Sequence, residues 1–326
     1  MTYLVTGSSG HLGEALVRSL RARKEATVSV DIRPGVFTDH VLDISGADQI
    51  SSLFKGVRHV LHAATLHKPH VATHSRLDFI RSNIEGTQVL LDAALREGVE
   101  SFVFTSTTST FGDALAPPPG APAAWITEEV APQVKNIYGA SKLAAEDLCY
   151  IAHRKDRLPV VILRTSRFFP EDQDSAAVRA EFGRENSQLN EFLHRRVDIE
   201  DVVSAHLLAA QRAPEIGFEK YIVSATSPFG QDDLQTLRTD PSSVVARHVD
   251  FQPVYNRLGW KMYADIDRVY VNDKARRDLG WQPKHDFSSV LARVASGGEV
   301  LSDLARDVGV IPYHDQVFED GPYPVD

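Results

Sequence analysis

Tyr138 and Lys142 stand four residues apart in Asn136-Ile137-Tyr138-Gly139-Ala140-Ser141-Lys142. That spacing puts a phenol and an amine on one face of a predicted helix. A free phenol titrates near a pH of about 10, too high for a good base at neutral pH. A nearby ammonium and an oxidised nicotinamide both favour the phenolate and bring the group toward the working range. The pair reads as a general base with electrostatic support. A Tyr-x-x-x-Lys spacing is common in helices, and the upstream chain is what gives it weight.

Gly7-Ser8-Ser9-Gly10-His11-Leu12-Gly13 follows the first predicted strand and opens the first predicted helix. A turn this tight demands residues tolerant of positive φ, and bare backbone lets a pyrophosphate approach the N–H groups and positive end of the helix. The pattern G-x-x-G-x-x-G has a first gap one residue longer than the dinucleotide fingerprint. Gly7, Ser9, Gly10, His11, Leu12 and Gly13 are the candidate cradle. Asp31, with Ile32 beside it, ends the second predicted strand 18 residues past Gly13. A carboxylate there accepts from both ribose hydroxyls and repels a 2′-phosphate, which favours NAD over NADP. Arg33 is the counter-signal, because a guanidinium pairs with phosphate. Asp43, next to Ile44, is placed to meet the adenine amino group; an isolated aspartate there is more often a turn or N-cap residue.

The elements that must position these groups are short apolar runs without strict alternation, the pattern of strands buried on both faces of a parallel sheet. Strands are predicted at 3–5, 27–30, 40–42, 57–61, 101–104 and 159–163, with helices at 12–23, 47–54, 78–97 and 138–154. Gly98 is the expected C′ residue of the third helix. The alternation predicts an α/β fold with an open, doubly wound parallel sheet of the Rossmann type. A smaller, mostly C-terminal substrate-binding domain is expected to follow. The dinucleotide-binding domain is expected over 1–165, continued by about 197–225 and 268–282. Residues of about 166–196, 226–267 and 283–326 form the expected substrate lobe. The proline-rich stretch 117–122 reads as a loop inside the first domain.

Composition narrows the function classes. A length of 326 residues allows about two domains. The chain has 35 Lys and Arg against 44 Asp and Glu, a formal net charge of −9, and no basic run. Nucleic-acid partners are disfavoured, since they are held by Lys and Arg displacing counterions. Cys149 is the single cysteine, so no internal disulfide forms, which fits a reducing cytosol. Apolar runs such as 160–163 fall far short of the roughly 18 residues a membrane span needs. The start Met1-Thr2-Tyr3-Leu4-Val5 lacks a basic n-region. The expectation is a cytoplasmic protein with no membrane partner.

Taken together, these motifs resemble the extended short-chain dehydrogenase/reductase family, in its NAD-dependent epimerase/dehydratase branch. Further matching segments are His62-Ala63-Ala64, Asn83-Ile84-Glu85-Gly86-Thr87, Leu163-Arg164, Val197-Asp198-Ile199-Glu200-Asp201-Val202 and Asp273-Lys274-Ala275-Arg276-Arg277-Asp278-Leu279-Gly280-Trp281. The resemblance implies that Thr107, five residues before Gly112, is the third catalytic member beside Tyr138 and Lys142. Thr105 and Ser106 adjoin it. It also implies that Lys142 touches the nicotinamide ribose, that His62, Ala63 and Ala64 line the cofactor, and that Asn83 braces the central helix. A homodimer through the helix carrying Tyr138 is expected on the same ground.

Two departures from the family pattern shape the functional reading. Sugar-nucleotide 4,6-dehydratases follow the catalytic hydroxyl with Asp-Glu, whereas Thr107 is followed by Thr108 and Ser109, which disfavours dehydration. Nucleotide-sugar epimerases carry an Asn three residues after the Arg of Leu163-Arg164, where this chain has Arg167. An arginine there still binds phosphate or a carboxylate, and Arg195 and Arg196 are further anion candidates. His67, His70 and His74 invite a metal reading, but Pro69 breaks the helix that would align them and no Cys or acid accompanies them. Substrate contacts by His67 and Lys68, together with Ser106 and Thr108, are expected instead, and no metal. Trp260 and Trp281 read as packing residues. The expected activity is NAD-dependent epimerisation of a sugar or nucleotide sugar through a transient ketone. A dehydrogenase of a sugar, sugar acid or polyol that releases NADH is the alternative, and a non-catalytic NAD-binding regulator the third.

Overall fold

A computed structural model describes residues 1–171, 175–314 and 318. Residues 172–174, 315–317 and 319–326, which the expected substrate lobe includes, lie outside the described residues.

Among the described residues nine strands form: β1 (Thr2–Thr6), β2 (Ala26–Asp31), β3 (His40–Val41), β4 (His59–His62), β5 (Ser101–Thr107), β6 (Ala124–Ile126), β7 (Val160–Thr165), β8 (Phe218–Val223) and β9 (Arg268–Tyr270). Seven make one parallel sheet in the order β3-β2-β1-β4-β5-β7-β8, and β6 pairs with β9 in a second, two-stranded sheet. Neighbouring strand residues feed opposite faces. Tyr3, Val5, Leu61, Val103 and Val161 pack against the helices His11–Ala22 and Ile199–Ile216. Leu4, Val60, Phe102, Phe104 and Ile162 pack against Ala47–Leu53, Gly86–Glu97 and Ile137–Asp156. Both faces are covered, which explains why the strands read as continuous apolar runs.

The strand order reverses between β1 and β4, so a crevice opens there at the carboxyl edge. The third predicted helix ends at Gly98, whose φ of 68° is the left-handed cap. It is not one α-helix. Arg76–Phe79 passes through a π-helical turn, Ile80–Glu85, before Gly86–Glu97, and Asn83 is buried in that turn. Sequence periodicity missed β6, β8, β9 and the 18-residue helix Ile199–Ile216. Three of these elements are formed by partners distant in the chain. Residues 117–122 form neither strand nor helix and lead into β6.

A separate apolar cluster, including Leu189, Phe192, Leu237, Val245, Tyr255 and Val290, underlies the later part of the chain, with Trp260 packed on it. Trp281 is fully buried and donates its indole N–H to Ser204 Oγ (2.9 Å). No helix among the described residues is long and apolar enough to cross a membrane.

Candidate active site

A cleft of about 900 Å³ runs along the carboxyl edge of the sheet and reaches from the glycine turn to Tyr138 and the Arg167 region. At its first end the backbone itself makes the wall. Gly7 has φ of +77°, and a Cβ there would stand 2.7 Å from the Ala64 nitrogen. A Cβ on Gly13 would fall 1.9 Å from the Gly7 carbonyl oxygen. The turn therefore sits against β4 and its own helix with no room for side chains. Gly10 caps the helix His11–Ala22 without any side-chain hydrogen bond, so its first-turn N–H groups are left to an anion.

Asp31 lies beside this turn, where its carboxylate accepts the backbone N–H groups of Ser9 (3.0 Å) and Arg33 (2.8 Å). These bonds fix the carboxylate at the lip of the cleft. Ile32, Ile44, Ala63 and Ala64 also line it, as do Ser9, His11 and Leu12. Arg33 donates to the carbonyls of Pro312 (3.4 Å) and Tyr313 (3.2 Å), which gives the guanidinium a use within the chain. Asp43 lines the cleft too, but its Oδ1 accepts both the N–H and the hydroxyl of Ser45 (2.9 and 2.8 Å), the geometry of a turn aspartate. The bare turn, the uncapped helix start and the acid at the ribose position fit a dinucleotide.

At the centre of the cleft, β5 ends in Thr107 and turns through the 3₁₀ segment Thr108–Phe111. Gly112, with φ of +55°, then lets the chain pass Gln133; a Cβ would stand 1.8 Å from its carbonyl oxygen. Asn136 caps the helix Ile137–Asp156 by accepting the Gly139 N–H (3.0 Å). This places Tyr138 in the first turn, where the Thr107 hydroxyl hydrogen-bonds its phenol. Thr105 Oγ1 bonds the His206 ring (2.8 Å), and Ser106 donates to Glu146 Oε1 (2.6 Å), so both hydroxyls are tied to the fold. Thr108 lines the cleft beside them.

Tyr138, Lys142 and Glu146 follow at one-turn spacing, all buried. Burial pushes the Tyr138 phenol up to about 12, with the Thr107 hydrogen bond pulling the other way. Burial also pushes the Lys142 ammonium down to about 7, opposed by the negative charge of Glu146. The chain's own charges thus leave the Tyr138 phenol protonated at neutral pH. Lys142 lies behind Tyr138 with its Nζ 4.1 Å above the Phe104 ring, outside the cleft wall.

Three more residues singled out from sequence lie behind the wall. The His62 ring joins the hydroxyls of Thr6 (2.7 Å) and Thr87 (3.0 Å). Asn83 ties the loop after β4 to the Tyr138 helix: it donates to Leu66 O and Ser141 Oγ and accepts from Leu66 N, each at 2.8 Å. Arg196 donates to Glu191 Oε2 (2.8 Å) and to Phe169 O (2.9 Å).

The far end is rich in guanidinium groups. Arg167, Arg195 and Arg268 line the cleft. Glu191, fully buried, lies 3.0 Å from Arg195, 2.8 Å from Arg196 and 3.8 Å from Arg167. His67 and Lys68 overhang the centre, the His67 ring stacked on Phe169 at 5.4 Å and edge-on to Tyr138 at 6.2 Å. Burial holds the His67 imidazole well below its usual range, so it faces the cleft uncharged. His67, His70 and His74 pack edge to face, and no metal-holding cluster of His, Cys, Asp or Glu occurs among the described residues.

Sequence reasoning missed Phe169, Glu171, Arg268 and residues 311–313 of this wall. For Phe169 and Glu171, their place just past the carboxyl end of β7 was a usable signal. Arg268 and residues 311–313 carried none, because long-range packing alone brings them in.

Residues 3–223 match the NAD dependent epimerase/dehydratase family. The dTDP-glucose 4,6-dehydratase of Streptomyces antibioticus is 30% identical, over 90% of this chain and 91% of its own length. The UDP-glucose 4-epimerase of Lacticaseibacillus casei is 25% identical, over 88% of this chain and 93% of its own. A solved short-chain dehydrogenase/reductase superfamily protein from Agrobacterium tumefaciens with bound NAD superposes with a TM-score of 0.65 at 23% identity, covering 94% of this chain and 97% of that one.

Proposed function

This chain belongs to the NAD-dependent epimerase/dehydratase family, as an NAD-dependent enzyme of the extended short-chain dehydrogenase/reductase type, and on that premise we propose that it epimerises a sugar or nucleotide sugar through a transient ketone. The observation that carries the proposal is the single cleft that joins the glycine turn, the Thr107 and Tyr138 hydroxyls, and the Arg167, Arg195 and Arg268 end.

Gly7, Ser9, Gly10, His11, Leu12 and Gly13 would hold the pyrophosphate, with Asp31 on the adenosine ribose. A bound oxidised NAD would supply the hydride acceptor for the substrate carbon and the donor for its return. Thr107 holds the substrate hydroxyl against Tyr138. Tyr138 takes that hydroxyl's proton during oxidation and returns it during reduction. Lys142, one turn behind, supplies positive charge that favours the phenolate. Arg167 and Arg195, from the lobe segment of about 166–196, and Arg268, from the segment of about 268–282, hold an anionic part of the substrate.

Dehydration finds less support despite the dehydratase relative: it needs its own acid and base beside the ketone, and Thr108 and Ser109 follow Thr107. The test is to incubate the NAD-loaded protein with a panel of sugars, sugar acids and nucleotide sugars, then resolve products and reduced cofactor. A product of inverted configuration without net NADH supports the proposal. Stoichiometric NADH would establish the dehydrogenase instead.

A further inference from the structure

Beyond the helix Asp303–Val308 the chain returns to the cleft, and residues 311–313 line it. Anchors hold this segment on both sides of the glycine turn. At the turn itself, the Ile311 N–H points at His11 Nε2 (3.0 Å), and on the β2 side Arg33 donates to the carbonyls of Pro312 (3.4 Å) and Tyr313 (3.2 Å). On the β4 side, the Tyr313 ring stands edge-on to His67 at 4.5 Å, and it also meets Phe169, which follows β7, at 5.9 Å. His314 Nε2 donates to Pro69 O at 2.9 Å. Arg33 follows β2, while His67 and Pro69 follow β4, and β1 with its glycine turn lies between those strands. A segment pinned at both places crosses over the turn.

We propose that residues 311–314 are a strap that closes over the bound dinucleotide and slows its release. The proposal rests on the cofactor site described above and adds to it a part of the chain roughly three hundred residues from the glycine turn. Its chemical consequence is specific. Behind a closed strap, reduced cofactor stays beside the ketone long enough to return its hydride, as a redox-neutral reaction requires. The strap also accounts for Arg33, whose charge is spent on two strap carbonyls.

The test measures cofactor exchange. NAD-loaded protein is mixed with excess fluorescent etheno-NAD, and the rate of replacement is followed in the wild type, Tyr313→Ala, Tyr313→Phe and Arg33→Gln, with thermal melting as a check on folding. Arg33 is exposed, so its replacement leaves the core intact. Losing a charge-assisted bond or the aromatic anchor should speed exchange about tenfold, while Tyr313→Phe keeps the slow rate. Equal exchange rates in the wild type, Tyr313→Ala and Arg33→Gln would overturn the strap while leaving the cofactor site standing. Failure of the wild type to take up any dinucleotide would overturn the site, and the strap with it.

Discussion

At the glycine end of the cleft the wall is backbone, packed until a single Cβ on Gly13 would fall 1.9 Å from a carbonyl oxygen. At the arginine end the wall is charge, with Arg167 and Arg195 on its face and Arg196 behind them, all gathered on the buried carboxylate of Glu191. In the proposed reaction the first end recognises the dinucleotide by shape and N–H direction, so added bulk should damage it most. In the proposed reaction the second selects a substrate by countercharge, so lost charge should damage it most. One cleft thus combines a rigid half with a half that can be retuned.

The largest expected effect breaks the rigid half. Gly13→Ala must push the helix His11–Ala22 away from its turn, at a cost of about 3 kcal/mol. Its melting temperature and NAD affinity should both fall, and an unchanged NAD titration would show that the turn does not hold the cofactor. At the other end, Arg167→Ala should raise KM for an anionic substrate by about tenfold or more while NAD affinity stays level. Equal KM for the two proteins would remove Arg167 from the substrate site.

A third prediction concerns what both halves rest on. Burial lowers His206 and His70 to about 4, and His62, His67 and His194 also fall well below their ordinary value of 6.5. Between pH 6.5 and about 4 the unfolded chain therefore binds more protons than the folded one. Stability is fully present above pH 6.5 and is lost as pH falls through that window. Asp201, raised by burial to about 6, offsets part of this. For a histidine as buried as His206 the effect reaches about 3 kcal/mol. Melting temperatures taken from pH 7 downward check it, and His206→Gln should flatten the slope.

The smallest effect sharpens the glycine end. Asp31→Ala should weaken NAD binding about tenfold, whereas Asp43→Ala should change it by less than about threefold and cost about 1 kcal/mol of stability through its lost turn bonds to Ser45. Equal losses of affinity would place the adenine on Asp43 after all.

The same contrast separates what was legible in the sequence from what was not. Gly7, Gly10 and Gly13, Asp31, and the Tyr138–Lys142 pair signal themselves by local spacing, and the sheet built from β1 to β5 and β7 follows from short apolar runs. The family resemblance pointed to Thr107. By contrast, β6 and β9 are three-residue strands that exist because they pair across more than a hundred residues, so no local period marks them. The π turn that buries Asn83 inserts one residue into an otherwise regular helical pattern. His62, Lys142 and Arg196 carried the right residue types, yet packing places all three behind the wall, Arg196 on the buried Glu191. Tyr313 reaches the cleft only through tertiary packing.

In the proposed reaction Tyr138 is the base at the reacting end of the cleft. Rapid mixing of the NAD-loaded enzyme with its sugar, followed by nicotinamide absorbance, tests this in the wild type and in Tyr138→Phe. The wild type should show reduced nicotinamide rising and then decaying. Tyr138→Phe should bind NAD with nearly unchanged affinity yet reduce it between about a hundredfold and ten-thousandfold more slowly. Reduction at the wild-type rate in Tyr138→Phe would contradict the account.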